Sequence, residues 1–295
     1  RKYLDCFAGV SVMNCGHCNP EITKKVQEQV GTLQHVCNIY LTENFVNLAE
    51  KLAQVTPGKL RAAMKQLGFA DIIEVAIGAD LCAAQEAEDF VKEVPEKLPF
   101  MATSCCPAWS VMAKKLFPEQ ANSISMALTP MTLTARLIKH HQPGAKVAFI
   151  GPCAAKKLEA MRRTVRSEVD FVLTFEEMAG IFEARHIDVN TLKEDPHGVN
   201  DASADGRNFA VSGGVAQAVV NVIKEKYPDR EIKVANAEGL SECRKLMMMA
   251  KAGKYNGYLL EGMACPGGCV AGAGTMQSIK KSSVAVNMYA KQAEH

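Results

Sequence analysis

The chain has 295 residues, of which 48% are hydrophobic and 22% charged, a composition typical of a folded globular protein with one large domain or two. The chain has 34 lysine and arginine residues and 32 aspartate and glutamate residues, and no basic block is present. This balance argues against a nucleic-acid or anionic membrane partner. We find no apolar run of about eighteen residues and no signal peptide. We therefore expect a cytoplasmic protein.

The eleven cysteines are more than chance predicts for this length. A disulfide scaffold is typical of short exported chains, so a long chain without an export signal favours metal binding instead. For Cys82 and Cys243 the preferred interpretation remains a buried structural thiol.

Residues 3–59 differ from the rest of the chain. Pro20 and the apolar residues after it predict a helix over about Pro20–Leu33, and a second helix is predicted over about Glu43–Gln54. With its run Gly16-His17-Cys18-Asn19-Pro20-Glu21, the segment resembles the amino-terminal segment of class III, PLP-dependent aminotransferases. In that family the aldimine lysine, the phosphate-binding loop and the pyridine aspartate lie further along the chain. They have no counterpart here, so we expect no PLP.

Cys15 and Cys18 form a C-x-x-C pair, which in thioredoxin-like proteins is redox-active between a strand and a helix. The aminotransferase resemblance already explains this spacing, so a redox role is disfavoured. An extra cluster site formed by Cys6, Cys15, Cys18 and Cys37 is also disfavoured, because the ferredoxin-type C-x2-C-x2-C run is missing.

From Gly58 onward, strand and helix patterns alternate. A helix over Leu60–Leu67 and a short strand over Ile72–Ile77 precede a helix that contains Glu86 and Asp89. Three later strands each end in a cysteine-containing loop. The strand and loop pairs are Pro99–Ala102 with Thr103–Trp109, Lys146–Ile150 with Gly151–Lys157, and Tyr255–Leu260 with Glu261–Gly274.

The remaining elements continue this alternation. Helices are predicted at Ser110–Leu116, Pro130–His141 and Val215–Lys226, with strands at Val169–Thr174, Phe209–Gly214 and Glu231–Asn236, a helix ending at Arg185, and a polar surface excursion over His186–Gly206. Such a sequence predicts an α/β fold with largely parallel sheets covered by helices. Ligands of open parallel sheets bind at the carboxyl ends of the strands. The cysteines of all three loops are expected there, and four converging thiolates suit an iron-sulfur cluster or a tetrahedral zinc.

The three loops closely resemble the signature loops of the catalytic domain of FeFe-hydrogenases, in order and in approximate separation. The similarity runs from about Gly58 to about Val284. It divides the chain into a helical amino-terminal segment, residues 1–57, and a hydrogenase domain, residues 58–295, with the cluster between two lobes. By this resemblance Cys106, Cys153, Cys265 and Cys269 ligate a 4Fe-4S cluster. Cys269 would also bridge to a diiron subcluster with CO, CN and azadithiolate ligands, which completes the H-cluster.

The resemblance also implies roles for residues around the cluster. Cys105 matches the proton donor and acceptor beside the diiron unit, and Lys156 matches the lysine that contacts a cyanide. The matched outward proton relay consists of Glu86, Ser125 and Asp89, and the matched pocket lining of Pro107, Pro130, Pro152, Phe209 and Met263. Alternatives remain for several of these residues: a structural thiol for Cys105, solvated charges for Glu86 and Asp89, and core packing for Phe209 and Met263.

The chain departs from the family pattern at several positions. Asp89 stands where the family usually has glutamate, and Glu93 stands where it has arginine, so the surface end of the relay differs. Gly151 replaces the usual methionine before Pro-Cys, and Met131 stands where glutamine is common. The aminotransferase-like segment also occupies the place of a family strand beside the diiron site. These changes indicate a divergent branch with shifted activity or a sensory role.

The leading hypothesis from the sequence is a reversible hydrogenase that reduces protons to H2 or oxidises H2. No accessory cluster motif is present, so a soluble ferredoxin is the expected electron partner, and maturation proteins are expected to install the cofactor. The alternative is a non-catalytic or weakly active protein that senses H2 or binds an iron-sulfur cluster. A poorly folded hybrid without activity is the third possibility.

Overall fold

The computed structural model describes residues 55–197 and 202–293, together with Pro20 and Lys24. Apart from those two positions, the predicted amino-terminal helices lie outside the described residues, as do the cysteines at positions 6, 15, 18 and 37. The proposed boundary between residues 57 and 58 therefore stays a prediction.

The strands of the described residues form two parallel sheets. They are β1 Met101–Ala102, β2 Ala148–Gly151, β3 Phe171–Thr174, β4 Lys233–Glu238 and β5 Tyr258–Met263. One sheet has the order β1-β5-β4, and the other pairs β2 with β3. Met101 pairs with Leu259 and Lys233 with Tyr258, while Ala148 pairs with Phe171 in the second sheet. The prediction of parallel strands is confirmed.

Helices connect and cover these strands. They are α1 Pro57–Gln66, α2 Ala76–Glu93, α3 Pro107–Leu116, α4 Pro130–His141, α5 Ala155–Met161, α6 Phe175–Ala184, α7 Ala204–Asn208, α8 Gly214–Lys226, α9 Leu240–Lys251 and α10 Ile279–Ala290, with 3-10 turns at Pro118–Ser123, Val189–Thr191 and Cys269–Ala271. Local sequence sets several helix starts. Thr56, Thr129 and Thr174 each cap a helix with the side-chain oxygen. Within the described part of the chain, no helix combines the length and apolarity needed to cross a membrane.

Strand β5 lies at the centre of the larger sheet and is buried on both faces. Leu259 and Met263 pack into an apolar cluster with α2 and α8, whereas Leu260 packs on the other side with Trp109 and α9. Alternate residues of a strand point to opposite faces, so each face of β5 has its own helical cover. A third apolar cluster joins α1 and α6 beside the smaller sheet. The α/β architecture predicted from the sequence is confirmed.

Two predicted strands are absent from the described structure. Residues 69–75 have no regular structure, and α2 begins at Ala76, within the strand predicted at Ile72–Ile77. A short apolar run cannot distinguish a strand from the start of a buried helix. Here Gly78 lets α2 approach the Pro130 carbonyl so closely that a Cβ at this position would lie 2.6 Å from it. This close approach of α2 to α4 explains the glycine.

The segment predicted as the strand Phe209–Gly214 forms consecutive turns. The Val211 amide donates to the Asn208 carbonyl at 3.0 Å, and the Gly214 amide donates to the Val211 carbonyl at 3.0 Å. Gly213 has a positive φ of 88°, which glycine adopts without steric cost, and α8 starts immediately after it. The apolar character of this segment reflects packing of Phe209 in the core rather than pairing in a sheet.

Replacement of Gly262 by alanine tests the packing of β5 against α3. A Cβ at Gly262 would overlap the indole ring of Trp109, which is fully buried and cannot move aside. We expect Gly262→Ala to lower the free energy of unfolding by about 1–3 kcal/mol, measured by urea denaturation.

The matched control is Gly180→Ala in α6, where a Cβ meets no atom within 4 Å. Alanine in place of an unconstrained helical glycine should stabilise the fold by about 0.4–1 kcal/mol. Equal stability of wild type and Gly262→Ala would contradict the packing described for Trp109.

Candidate metal centre

The predicted ligand loops meet because backbone hydrogen bonds join them. The Thr103 amide at the end of β1 donates to the Leu260 carbonyl at 2.9 Å, which fixes the first loop to β5. The Gly274 amide donates to the Pro152 carbonyl at 2.9 Å, which fixes the third loop to the second. Residues far apart in the chain therefore surround one region at the carboxyl ends of β1, β2 and β5.

The predicted cluster ligands lie at defined positions in these loops. Cys106 is the N-cap residue of α3, and Cys153 lies just before α5. Cys265 follows β5, and Cys269 begins the 3-10 turn Cys269–Ala271. All four are partly buried free thiols. All four therefore follow the carboxyl ends of strands β1, β2 and β5.

The electrostatic contributions among these thiols indicate that they lie near one another. Burial raises the pKa of Cys269 to about 12, and the neighbouring thiols of Cys106, Cys153 and Cys265 contribute to that rise. Burial also raises the pKa of Cys265, again with contributions from Cys106 and Cys153. A cationic metal would reverse this effect, because the thiolate form is the ligand.

The donor set fits an iron-sulfur cluster. Among the described residues, no three cysteine, histidine, aspartate or glutamate side chains are arranged to hold one metal ion. In a cubane each thiolate binds a different iron atom, so the sulfurs surround the cluster instead of meeting at one ion. Four soft sulfur donors from three loops suit this arrangement, and the ligand assignment itself remains a prediction.

The glycines of the third loop have a structural role that the sequence alone did not show. A Cβ at Gly268 would lie 2.6 Å from the Ser212 amide nitrogen, and a Cβ at Gly272 would overlap the Pro152 carbonyl. Gly267 and Gly268 also have φ values of 90° and 94°. At these positions glycine admits the backbone of neighbouring loops.

Cys105 is buried beside the predicted ligand Cys106. Burial raises the pKa of the Cys105 thiol well above its ordinary value, and the nearby Glu86 carboxylate raises it further. Cys105 also belongs to the apolar cluster around β5. The group is therefore a neutral thiol at neutral pH, a form that can donate a proton.

Glu86 is a fully buried carboxylate on α2. Its Oε1 accepts from the Ser104 amide at 3.4 Å, and its Oε2 has no hydrogen-bond partner among the described residues. Burial raises the pKa of Glu86 to about 7, although the neighbouring Ser125 hydroxyl and the Ser104 amide oppose the shift. A carboxyl group with such a pKa can take up and release a proton at neutral pH.

The other predicted relay residues differ in exposure. Ser125 is buried, and its amide donates to the Ala102 carbonyl at 2.7 Å. Asp89 is partly exposed one helical turn after Glu86 and accepts from Gln85 Nε2 at 3.0 Å. Glu93, where the family has arginine, instead forms an ion pair with Lys97 at 3.0 Å. These carboxylates follow one face of α2 from the core outward.

Lys156 is buried at the start of α5, in contact with the first loop. Its Nζ donates to the Cys105 carbonyl at 3.1 Å and to Glu159 Oε2 at 2.7 Å. Burial disfavours the charged amine, but the attraction and hydrogen bond of Glu159 outweigh it and raise the pKa of Lys156. The neighbouring Lys157 pairs instead with Glu177, on a more exposed surface.

Sequence reasoning missed two buried acids. Glu159 could have been found from its position three residues after Lys156, since residues at this spacing share a helix face. Glu261 lies in β5, fully buried, and accepts from the amides of Gly213 at 2.6 Å and Ala216 at 2.7 Å. It accepts from backbone amides at the start of α8 that have no partner within the helix, and this holds the turn next to the third cysteine loop.

The predicted pocket residues are buried or partly buried. Phe209 and Met263 are buried in the apolar cluster that contains Cys105. Both residues therefore pack in the core, and this packing is compatible with the predicted role in lining the pocket. Pro107 is buried, whereas Pro130 and Pro152 are partly buried. Met131, where the family commonly has glutamine, is also buried.

Gly151 lies on the same face of β2 as Phe149, two residues away. A Cβ at Gly151 would lie 2.7 Å from Cζ and 2.8 Å from Cε1 of the Phe149 ring. The ring thus occupies the space that a side chain at position 151 would need. At position 151, where the family usually has methionine, this chain has glycine. The Phe149 ring covers the Gly151 backbone, which leads to Cys153.

The comparison with protein families agrees with this geometry. Residues 41–273 match the model of the iron only hydrogenase large subunit, C-terminal domain. The chain belongs to this family. The periplasmic Fe hydrogenase large subunit of Nitratidesulfovibrio vulgaris is 31% identical, over 76% of this chain and 63% of that protein. Iron hydrogenase 1 of Clostridium pasteurianum is 28% identical, over 74% of this chain and 45% of that protein. This member thus spans about half to two thirds of these hydrogenases.

Solved structures show the same fold. A structure that reveals stepwise assembly of the H-cluster of an FeFe-hydrogenase has a TM-score of 0.69 at 24% identity, over 84% of this chain and 82% of that chain. An apo FeFe-hydrogenase variant from Chlamydomonas reinhardtii has a TM-score of 0.69 at 23% identity, with the same coverage. The hydrogenase fold predicted from the loops is confirmed.

Other similarities concern proteins not named as hydrogenases and a short aminotransferase-like stretch. The nuclear prelamin A recognition factor of Homo sapiens is 26% identical over 75% of this hydrogenase-family chain. A 61-residue stretch, 21% of the chain, is 44% identical to alanine–glyoxylate aminotransferase 2 homolog 2 of Arabidopsis thaliana. The aminotransferase resemblance is thus confirmed for a short segment. The cytoplasmic location stays a prediction, since one hydrogenase relative is named as periplasmic.

The raised pKa of Glu86 predicts a pH dependence of stability. The native state binds this proton up to a pKa of about 7, whereas the unfolded chain releases it near 4.5. Stability from the protonated carboxyl is therefore complete below about pH 4.5 and is lost as the pH rises through about 7. We expect Glu86→Gln, which cannot ionise, to gain stability relative to wild type, by up to about 3 kcal/mol above pH 7.

Urea denaturation of the metal-free protein between about pH 5 and pH 8 measures this difference. Glu88→Gln is the matched control, since Glu88 is on the exposed side of the same helix and pairs with Lys226. A stability difference for Glu86→Gln that does not grow with pH would refute the raised pKa.

Proposed function

We propose that this chain is the catalytic domain of an FeFe-hydrogenase that reversibly reduces protons to H2. The main support is a single observation: four partly buried thiols lie in three loops that follow parallel strands and are joined by backbone hydrogen bonds, with Cys105 and Lys156 buried nearby. Membership of the iron only hydrogenase family agrees with this proposal. The chain spans 63% and 45% of its hydrogenase relatives, so the activity of those whole proteins is part of the proposal.

The residues that would hold the cofactor are those predicted from the sequence. Cys106, Cys153, Cys265 and Cys269 would ligate the 4Fe-4S cluster, and Cys269 would bridge to the diiron subcluster with its CO, CN and azadithiolate ligands. When bound, this H-cluster supplies an open iron site for proton reduction and a route for electrons. Lys156 would donate a hydrogen bond to a cyanide, because its buried ammonium has donors suited to an anionic ligand.

The protein's own contribution is to move protons. The Cys105 sulfur holds its proton at neutral pH because burial raises its pKa. Glu86, with a pKa of about 7, can return a proton to Cys105 and recover one from outside. Ser125 and Asp89 would continue the route, and Asp89 is partly exposed. Its shorter side chain adds about one methylene to the last hop, which a water molecule can bridge.

The apolar residues around the loops exclude water from this reaction. Phe209 and Met263 are 8% and 2% exposed and pack against the same cluster as Cys105. Protons would therefore reach the cofactor through Cys105 instead of through bulk solvent. Electrons would come from ferredoxin or a similar carrier, and maturation proteins would install the diiron subcluster.

A second function is favoured by a different set of observations. The nuclear prelamin A recognition factor of Xenopus laevis is 24% identical over 75% of this chain, so the family includes members that are not named as hydrogenases. The replacement of methionine by Gly151, with Phe149 above it, also alters the pocket. The alternative is a weakly active or non-catalytic protein that senses H2 or binds only the 4Fe-4S cluster.

Removal of the Cys105 thiol tests the catalytic proposal. The matured protein should evolve H2 from reduced viologen, and Cys105→Ala should lower the rate by about 100-fold or more, the usual contribution of a positioned proton donor. Cys243→Ala is the control, because Cys243 is a buried thiol that donates weakly to the carbonyls of Ala237 and Met263. Equal H2 evolution by wild type and Cys105→Ala would overturn the proton-transfer role.

Removal of the ligand thiols tests the cofactor. Substitution of Cys106, Cys153, Cys265 or Cys269 by alanine should strongly lower bound iron and sulfide and the absorbance of the cluster, whereas Cys82→Ala should leave them near the wild-type level. Infrared bands of carbonyl and cyanide should appear in the matured wild type. A cluster signal without those bands would support the alternative function over hydrogenase activity.

A further inference from the structure

Glu159 occupies a position between two helices that the catalytic proposal does not use. It is 4% exposed and lies on α5, one turn after Lys156. Its Oε2 accepts from Lys156 Nζ at 2.7 Å. A glutamate and a lysine three residues apart share a helix face, but surface pairs of this kind contribute little to stability. This pair is buried, so its contribution to stability depends more strongly on its geometry than that of a surface pair does.

The second oxygen of Glu159 is held by a different helix. Oε1 accepts from Thr129 Oγ1 at 2.6 Å and is 3.5 Å from Thr132 Oγ1. Thr129 is also the N-cap residue of α4, so its position is fixed by the helix that it begins. Each carboxylate oxygen therefore has its own hydrogen-bond partner, and these contacts restrict the movement of the Glu159 side chain.

This arrangement restricts Lys156 strongly. A lysine side chain has four methylene groups and many rotamers, and its ammonium has three N–H donors. Two of them are taken by the Cys105 carbonyl and Glu159. One donor is left for a ligand in the pocket. The ion pair is also neutral overall, so Lys156 offers the pocket a directed hydrogen bond with little net charge.

We infer that Glu159, held by Thr129, is a positioning residue that fixes the ammonium of Lys156 for a hydrogen bond to an anionic diatomic ligand of the cofactor. The identity of that ligand rests on the proposed function. The pairing of Glu159 with Lys156 does not depend on it, because the contacts exist in the protein alone. Glu159 acts through Lys156 and does not touch the reacting atoms.

Infrared spectra of matured Glu159→Gln test this role. The substitution keeps the shape and removes the counter-charge, so the cyanide bands should shift and broaden while bound iron stays near the wild-type level. H2 evolution should fall by about tenfold or more, as expected when an outer-sphere partner is lost. Glu242→Gln is the matched control, since Glu242 forms an exposed pair with Lys245 at the same spacing. Cyanide bands identical to those of wild type would overturn the inference.

A second experiment uses the metal-free protein. Thermal unfolding of Glu159→Gln, Lys156→Met and the double variant forms a double-mutant cycle. We expect the double variant to lose clearly less stability than the sum of the single losses, and exact additivity would refute the pairing. If Glu159→Gln does not fold, Thr129→Val serves instead: it removes the hydroxyl contact to Glu159 together with the N-cap of α4, and it should shift the cyanide bands away from their wild-type positions. If matured wild type shows no cyanide bands, the proposed function fails, and the cycle still decides the pairing.

Discussion

The parallel pairing of β1 with β5 is the constraint on which the rest of the structure depends. Parallel strands end at the same edge of a sheet, so the loops after Ala102 and after Met263 start side by side although about 160 residues separate them. The Gly274 amide then ties the second sheet to the first through the Pro152 carbonyl. Without these backbone bonds the cysteines would have no common position, because no helix contains more than one of the predicted ligands.

A second theme is how the fold tolerates buried charge. Each buried ionisable group near the loops is compensated in a different way. Glu261 receives backbone amides, Lys156 and Glu159 neutralise each other, and Glu86 lacks a partner for Oε2 and instead has a raised pKa. An uncompensated charge in a low-dielectric region is costly, and a group can avoid the cost by taking up a proton. The incompletely paired carboxyl is the one best suited to exchange protons.

Much of the fold could be predicted from local patterns. Helix α4 was predicted with its exact limits, because Thr129 and Pro130 form a strong start signal, and the apolar runs before the cysteine loops became β1, β2 and β5. Patterns failed where tertiary contact decides the conformation. The apolar segment before α8 turns because Glu261 captures its amides, and the start of α2 is helical because Gly78 packs against Pro130. Neither partner is close in sequence.

For the candidate site, residue types and spacing indicated which thiols would meet, but not the surroundings that tune them. Lys156 and Glu159 lie on α5, whereas Thr129 begins α4, so the contacts among them join two helices. A local sequence pattern could predict the pairing of Lys156 with Glu159 but not the contact with Thr129. The pKa values of Cys105 and Glu86 depend on burial, which the sequence reveals only through the fold. Chemistry that needs a low-dielectric environment is therefore the part that sequence patterns describe least well.

The contact of the Phe149 ring with Gly151 couples the side chains that positions 149 and 151 can accommodate. The ring fills the volume that a side chain at position 151 would need, so position 151 can accommodate a methionine only when Phe149 is displaced or replaced. A methionine introduced at position 151 while Phe149 keeps its position would place the two side chains in the same space. Positions 149 and 151 are thus expected to vary as a pair among related chains, and the order of their substitutions is restricted by steric exclusion.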